Sequence, residues 1–163
     1  MEKIPTEAEK REHLRKIVNA ARTGMLVTYG AMGLHGRPMA NAEVTEPFEM
    51  IWFATSRSSV KVDELKRDDR VFLAYHGSGT EWATISGRAR AVDDRAKIRE
   101  LWSPVWKVWF ESADDPDIIL LAVTPEGGEY WDSGNKIAAY IKFAVGALGG
   151  KDLSREDHQV VRM

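Results

Sequence analysis

The amino-acid sequence predicts a mainly β fold of the α+β class, an antiparallel barrel with flanking helices. Five to seven short segments have the apolar or alternating pattern of strands. Most of them are separated only by turns rich in glycine, proline and polar residues, which is typical of strands that pair antiparallel. The predicted helices do not alternate strictly with the strands, so the pattern disfavours a doubly wound parallel sheet.

Length and composition indicate one globular domain. The chain has 163 residues, of which 44% are hydrophobic and 29% are charged, and a chain of this size can bury a core without disulfides. We expect an N-terminal helix in residues 1–22, the barrel in residues 23–134, and a C-terminal helix and tail in residues 135–163. A formal net charge of -2 argues against broad electrostatic binding of nucleic acid.

The sequence also limits the chemistry and the cellular setting. It contains no cysteine, which excludes disulfides and cysteine-ligated metals. Neither a signal peptide nor a membrane span is recognisable, so we expect a cytoplasmic protein that binds no membrane. The motifs Gly-x-Ser-x-Gly and His-Glu-x-x-His are absent, which argues against the best-marked hydrolases and metalloproteases. Any enzymatic chemistry is therefore expected to come from a cofactor.

The first part of the chain predicts one helix and a β-hairpin. Thr6 and Glu9 have the spacing of a capping box, and apolar residues follow at helical intervals. Residues 25–29 form the next predicted strand, followed by a glycine-rich loop and a returning strand in residues 37–44. The glycines of this loop do not have the spacing of a dinucleotide-binding motif. Pro38 fits the first residue or the edge of a strand.

The centre of the chain contains the most informative pattern. Residues 50–55 form a short apolar run, which is typical of a strand covered on both faces. The cap-type residues 56–59 follow, and Val60, Val62 and Leu65 fit the apolar face of a short helix. A buried strand is therefore predicted to end where a helix begins.

The junction between this strand and this helix has the properties of an anion site. The first turn of a helix presents unpaired backbone N–H groups at the positive end of the helix dipole. Arg57 lies just before this turn and Lys61 lies within it, although a cation is unfavourable there. A bound phosphate would reverse that penalty. Alternatively, Lys61 extends into water and pairs with Glu64, and the local sequence is compatible with both arrangements.

The rest of the chain continues the mixed pattern. Further strands are predicted at residues 71–75, 82–92, 118–124 and 129–132. Gly87 suggests a bulge or the close approach of another group. Helices are predicted after Asp94 and in residues 135–145, and a turn is predicted in residues 125–128. The acidic residues of the segment 114–117 are interpreted as a turn rather than a metal site. The last dozen residues are polar and are expected to form a tail.

Several of these features also match a known family. They occur in this order: Arg37-Pro38-Met39 at the start of a strand, Phe53-Ala54-Thr55 before a helix, Ser59 with Lys61, Gly87 in a long strand, and Tyr130-Trp131-Asp132 at the end. With this order and spacing, residues 24–132 resemble the FMN-binding split barrel of the pyridoxamine 5'-phosphate oxidase superfamily. Within that superfamily the sequence is most similar to the small bacterial general stress proteins.

The resemblance implies a six-stranded Greek-key split barrel that forms a homodimer, with one FMN in each of two clefts at the interface. It implies that Lys61 binds the FMN phosphate, with Ser59 and Thr55 as hydroxyl partners. Arg37 would reach the phosphate or the ribityl chain. FAD is the alternative cofactor, because a phosphate site at a helix start accepts a terminal or a bridging phosphate.

The remaining implied contacts surround the flavin ring. Pro38 belongs to the implied cofactor-binding residues, and the backbone near Met39 and Ala54 would line the isoalloxazine. Trp82 stands where the oxidases carry a glutamine that contacts the flavin. Trp131 would contact the ring from the partner subunit, or would instead fill the core.

Two departures from the oxidases limit the implied function. Val60 stands where the oxidases carry an arginine, and no terminal strand with arginine and histidine is expected after Asp132. We therefore do not expect oxidation of pyridoxamine phosphate. The implied function is an FMN-binding protein with flavin-dependent oxidoreductase activity on an unknown substrate. The alternatives are a flavin-binding stress or sensor protein without turnover, and a split barrel that binds a deazaflavin or haem.

Overall fold

The structure is a computed structural model that describes residues 4–132 and 158–163. Its helices are α1 (Glu7–Ala21), α2 (Val60–Arg67) and α3 (Arg95–Leu101), with a 3₁₀ helix at Pro104–Val108. Its strands are β1 (Thr23–Gly30), β2 (Gly33–Ala40), β3 (Glu43–Val44), β4 (Ile51–Ser56), β5 (Arg70–His76), β6 (Trp82–Val92), β7 (Ile118–Trp131) and β8 (His158–Arg162). Among the described residues, no helix is long and apolar enough to cross a membrane. The helix predicted in residues 135–145 lies outside the described residues.

The described strands form one antiparallel sheet that curls into a half-barrel, with three α-helices around it. Their order is β2-β1-β5-β6-β7-β4-β3, and β8 pairs with the second half of β7. The predicted antiparallel barrel is confirmed. Eight strands are described rather than six, because β3 has only two residues and β8 comes from the end of the chain.

β7 is one continuous strand of 14 residues, so the prediction of two strands with a turn at residues 125–128 is wrong. The proline and glycines that suggested a turn are accommodated by a bulge in β7. Ser86 pairs with Gly127 and Gly87 pairs with Pro125, so Glu126 is the extra residue of β7. A Cβ atom at Gly87 would lie 2.2 Å from the carbonyl oxygen of Thr124. The predicted bulge and the predicted close approach at Gly87 are both confirmed.

The end of the chain forms a strand rather than the expected tail. β8 pairs antiparallel with residues 127–131 of β7 and contacts α1, and Val161 is only 1% exposed. The expectation that no terminal strand exists is therefore wrong, and β8 begins with His158 and ends with Arg162. A short apolar pair within a polar segment was too weak a pattern to indicate this strand.

β4 lies between two apolar clusters. Ile51 and Phe53 belong to the larger cluster, which also contains residues of α1 and α2. On the other face, Trp52 and Ala54 pack against a smaller cluster, which consists of Ile98, Phe110, Ile118 and Leu120. Coverage of β4 on both faces is thus confirmed, although the second face is only partly buried. This packing fixes the end of β4 and therefore the start of α2.

The predicted helix signals are largely confirmed. Thr6 and Glu9 form the capping box of α1. Asp94 caps α3 by accepting a hydrogen bond from a backbone N–H. In α2, Val62 and Leu65 are buried, whereas Val60, the first helical residue, is 63% exposed and does not belong to the apolar face.

Candidate functional site

The candidate site lies where β4 ends and α2 begins. Ser59 is the N-cap residue of α2, but its side chain does not cap the helix. Instead, the Ser59 hydroxyl accepts a hydrogen bond of 2.6 Å from Lys61 Nζ, which also donates to Thr55 Oγ1 at 2.9 Å. The half-buried Lys61 side chain therefore places its ammonium between two hydroxyls, and the residue itself belongs to the first turn of α2.

Glu64 follows Lys61 by one helical turn, but it does not pair with it. Its carboxylate binds Arg37 and His35 instead. Within residues 4–132 and 158–163, no carboxylate forms an ion pair with Lys61, whose described hydrogen bonds go to hydroxyls. The alternative interpretation of Lys61, as an exposed cation paired with Glu64, is therefore wrong.

The electrostatic surroundings of Lys61 favour an anion. Burial lowers the pKa of Lys61, and the nearby charge of Arg37 lowers it further, whereas Glu64 opposes this shift. A phosphate would supply the negative charge that this ammonium lacks. An ammonium, two hydroxyls and the amides of a helix start form a donor set that suits a phosphate group.

Glu64 is the centre of a buried polar cluster behind this site. It is 4% exposed and accepts hydrogen bonds from Thr28 Oγ1, from His35 Nδ1 at 2.9 Å and from Arg37 Nη2 at 3.0 Å. Burial by itself raises the pKa of Glu64, but the hydrogen bonds from Thr28, His35 and Arg37 outweigh it and lower the pKa to about 2. The carboxylate therefore stays ionised and fixes the Arg37 guanidinium.

Thr28, His35 and Glu64 were not predicted as members of such a cluster. Thr28 and His35 lie opposite each other in the β1–β2 register, and His35 and Arg37 lie on the same side of β2 because strand side chains alternate. The His-x-Arg spacing of His35 and Arg37 is the feature of the sequence that could have indicated this cluster. Its partner could not be found from spacing, because that requires the packing of α2 against β1.

A cleft of about 480 Å³ extends from Lys61 between β2, β4 and the 3₁₀ helix. Six of the nine residues predicted to bind a cofactor line it: Pro38, Met39, Ala54, Thr55, Ser59 and Lys61. They come from the ends of β2 and β4 and from the start of α2. β2 and β4 are far apart in the sheet order, so the curl of the sheet brings them together.

The other three predicted residues lie outside this cleft. Arg37 binds Glu64. Trp82 and Trp131 face each other in the β6–β7 register, towards the end of β7 that does not pair with β4. Trp82 is 51% exposed and its ring centroid lies 4.5 Å from that of His76. A contact of Trp82 with a flavin, and a contact of Trp131 with the flavin from the partner subunit, both stay predictions.

Two further polar residues of the junction, Ser56 and Arg57, pair with carboxylates from other parts of the chain. Arg57 turns towards Asp93, which it binds at 2.7 Å, and does not line the cleft. Ser56 donates a hydrogen bond of 2.6 Å to Asp117, and both of these residues line the cleft. Lys61 and Asp117 are therefore the two titratable side chains among the described residues that line it.

The 3₁₀ helix and the residues after it form a wall of the cleft that was not predicted. The wall consists of Val105, Trp106, Trp109 and Phe110. Three of the six tryptophans of the chain fall within residues 102–109, and this concentration could have indicated an aromatic wall. Which of them face the cleft depends on the 3₁₀ geometry that follows Pro104, and the sequence pattern did not predict that geometry.

The described residues contain no group of three or more histidine, aspartate or glutamate side chains that could hold a metal ion. The acidic segment 114–117 forms turns, as predicted. Asp114 binds Arg99, and Asp115 accepts hydrogen bonds from the backbone amides of Glu111 and Asp117. These carboxylates therefore stabilise the loop that leads into β7.

Comparison with known proteins places this chain in a family. The family model described as "Pyridoxamine 5'-phosphate oxidase like" matches residues 9–154. General stress protein 26 of Bacillus subtilis is 28% identical over 91 residues, which cover 53% of this chain and 64% of that protein. Protein bli-3 of Neurospora crassa is 38% identical over 64 residues, which cover 39% of this chain and 31% of that protein. The chain thus spans less than two thirds of the length of either curated relative.

A solved structure extends the likeness to the fold. The general stress FMN/FAD binding protein of Xanthomonas citri is 30% identical, with a TM-score of 0.69 over 77% of this chain and 89% of that one. This likeness confirms the split-barrel fold. Because the family model covers most of the sequence, the chain belongs to the pyridoxamine 5'-phosphate oxidase-like family.

Proposed function

We propose that this protein binds FMN in the Lys61 cleft and is a flavin-dependent oxidoreductase whose substrate is unknown. The observation that carries the proposal is the half-buried Lys61 ammonium, which lies between two hydroxyls without a carboxylate partner among the described residues. The flavin-binding relative from Xanthomonas citri supports the cofactor class. FAD stays the alternative, since the same donors suit a bridging phosphate.

The residues of the cleft fit such a cofactor at both ends. Lys61, Ser59 and Thr55 offer donors to a phosphate, while Met39 and Ala54 offer an apolar lining for a ring system. Ligand sites commonly combine an apolar lining with a few polar groups that fix orientation. A bound flavin would supply the hydride chemistry, so that the protein need only hold and orient it.

A flavin-binding stress or sensor protein without turnover is the second candidate. It is favoured by the scarcity of acid–base groups in the cleft, because Asp117 is the one carboxylate of the described residues that lines it, and it already accepts a hydrogen bond from Ser56. Reduction of the bound flavin by a nicotinamide donor, followed by turnover with an acceptor, would favour the oxidoreductase. A flavin that no donor reduces enzymatically would favour the sensor.

We further propose that pyridoxamine phosphate is not the substrate. The expected absence of a terminal strand with arginine and histidine is not a valid reason, because β8 includes both His158 and Arg162. However, β8 pairs with residues 127–131, away from the part of β7 that adjoins the cleft. The replacement of an arginine by Val60 remains, and Val60 is 63% exposed. Assaying pyridoxamine phosphate oxidation tests this part of the proposal directly.

We also propose a homodimer. Four outward-facing apolar side chains on β1, β2 and β5 are 42% to 69% exposed: Met25, Tyr29, Leu34 and Phe72. They share one face, since Tyr29 is opposite Leu34 and the neighbouring Val27 is opposite Phe72. A contiguous apolar surface of this kind is typical of an interface between subunits.

The visible absorbance spectrum of the purified protein tests the cofactor class. After saturation with FMN and removal of free ligand, we expect the two-banded spectrum of an oxidised flavin. A haem or a deazaflavin that is already bound to the purified protein would give a different spectrum and would replace FMN in the proposal. Protein that retains none of these ligands after saturation would contradict it.

A further inference from the structure

The wall of the cleft formed by the 3₁₀ helix and the residues after it has an anchored base. Phe110 is 7% exposed and belongs to the smaller apolar cluster. Trp106 packs against the same cluster and meets Trp102 edge to face, with ring centroids 5.7 Å apart and an angle of 81° between the planes. The carbonyl of Trp106 also accepts hydrogen bonds from the amides of Trp109 and Phe110. The wall is therefore held in place by packing that involves no ligand.

The rim of the same wall is exposed. Val105 is 65% exposed and Trp109 is 69% exposed, although both line the cleft. A single exposed apolar residue is ordinary, but a large aromatic at the edge of a cleft, on an anchored wall, resembles the surface of a binding site. The side chain of Trp109 thus offers a flat apolar surface that the described part of the chain does not cover.

The lining of the cleft combines two kinds of chemistry. The Lys61 ammonium and the hydroxyls of Thr55 and Ser59 suit a phosphate. Trp109, which lines the same cleft, suits a planar ring system, because aromatic rings stack favourably on one another. A ligand that uses both has a phosphate and a flat ring within one molecule.

We propose that Trp109 determines ligand specificity by stacking on the ring system of the ligand whose phosphate lies at Lys61. The cleft then selects phosphate esters of planar heterocycles over simple phosphates. This inference rests on the proposed function and deepens it, because it assigns the ring end of the ligand to a residue of the 3₁₀ wall. Trp109 is a binding residue in this proposal and supplies no group that reacts.

The test uses Trp109→Ala, Trp109→Phe and the control Val108→Ala. Val108 is 75% exposed in the same segment but does not line the cleft. We expect Trp109→Ala to weaken the binding of FMN and of riboflavin by the same factor, about tenfold, because stacking on a base-like ring contributes on this order. Trp109→Phe should recover most of the affinity, and Val108→Ala should leave it unchanged. Competition by inorganic phosphate should not depend on Trp109.

The possible outcomes separate this inference from the proposed function. FMN binding that is unchanged in Trp109→Ala would overturn the role of Trp109 and leave the flavin site intact. Parent protein that binds neither FMN nor riboflavin would overturn both. Sedimentation provides the remaining check: if Trp109→Ala dissociates a dimer and binds FMN like the parent at protein concentrations that restore the dimer, Trp109 acts only in the contact between two copies of the chain, and the inference is wrong.

Discussion

Lys61 and Glu64 lie one turn apart on α2, yet their charged groups have different partners. The ammonium binds the hydroxyls of Thr55 and Ser59, and the carboxylate binds Arg37 and its neighbours. The pair that would be formed on an isolated helix is thus replaced by tertiary contacts. This separation leaves the ammonium without a bound anion within the described residues and makes it available to a ligand.

Lys61→Ala should weaken FMN binding roughly ten- to a hundredfold, on the order of 1.5–3 kcal/mol, because it removes a charge-assisted contact to the phosphate. The stability of the free protein should change little, since a half-buried cation at the positive end of a helix is mildly unfavourable. Fluorescence titration with FMN and with riboflavin measures the effect. Riboflavin, which lacks the phosphate, should bind weakly to the parent and lose little further affinity.

Lys66→Ala is the matched control for this substitution. Lys66 lies on the same helix, but its side chain is 69% exposed and is paired with Asp63. Its removal changes the net charge by the same amount as Lys61→Ala without touching the cleft. If both variants bind FMN like the parent, the phosphate site is not at Lys61.

Glu64→Gln should destabilise the fold by about 3 kcal/mol, because removing one partner of a buried ion pair leaves the other charge uncompensated. The uncompensated charge here is that of Arg37, whose side chain is only 16% exposed. Urea unfolding monitored by circular dichroism gives the free energy of unfolding. Asp63→Asn, at an adjacent position that is 66% exposed, should change it by less than about 1 kcal/mol. Similar values for the two variants would show that the buried cluster contributes little.

The same cluster predicts acid sensitivity. The pKa of Glu64 is about 2 in the folded protein and 4.5 ordinarily, so the ionised carboxylate stabilises the fold. This stabilisation is fully present above about pH 4.5 and is lost as the pH falls to about 2, by an amount on the order of 3 kcal/mol. Urea unfolding at several pH values should show a shallower acid dependence for Glu64→Gln than for the parent. Parallel curves would contradict the assignment.

The place of Lys61 in the candidate site was predictable because its signal is local. Lys61 follows Thr55 and the N-cap Ser59 and lies within the first turn of a helix, where a cation is unfavourable. This departure from the usual charge preference is visible in the sequence itself. The fold class was predictable for a similar reason, since strand spacing and turn residues are also local. The structure then brings the end of β2 to the same cleft.

The parts that were missed depend on contacts between distant segments. Pro125 and the glycines after it have the composition of a turn, but pairing with β6 on one side and with β8 on the other keeps β7 extended. The alternative that paired Lys61 with Glu64 rests on spacing along a helix, which the sequence shows, whereas the contacts of Glu64 with β1 and β2 are not visible in the sequence. Trp109 has no periodic pattern that would place it at a cleft.

Phe72→Glu should dissociate the proposed homodimer, because it places a charge in the middle of the exposed apolar face of β1, β2 and β5. Sedimentation velocity at micromolar concentration should show a dimer for the parent and a monomer for this variant. Val160→Glu is the control, since Val160 is also an exposed strand residue, 53% accessible, but lies on β8. A parent that sediments only as a monomer would contradict the dimer and the interface together.

Gly87→Ala should destabilise the barrel by about 2 kcal/mol or more, because the added methyl group would overpack a closed site. Its Cβ atom would lie 2.2 Å from the carbonyl oxygen of Thr124, and a backbone atom of a central strand cannot move aside as a flexible side chain can. Gly127→Ala is the matched control on the facing strand, where the nearest atom to the new Cβ would be 3.8 Å away. Thermal unfolding followed by circular dichroism should give a clearly lower Tm for Gly87→Ala and a Tm near that of the parent for Gly127→Ala. Equal values for the two variants would mean that β6 and β7 separate easily at this point, and that the register shift beside Gly87 does not require glycine.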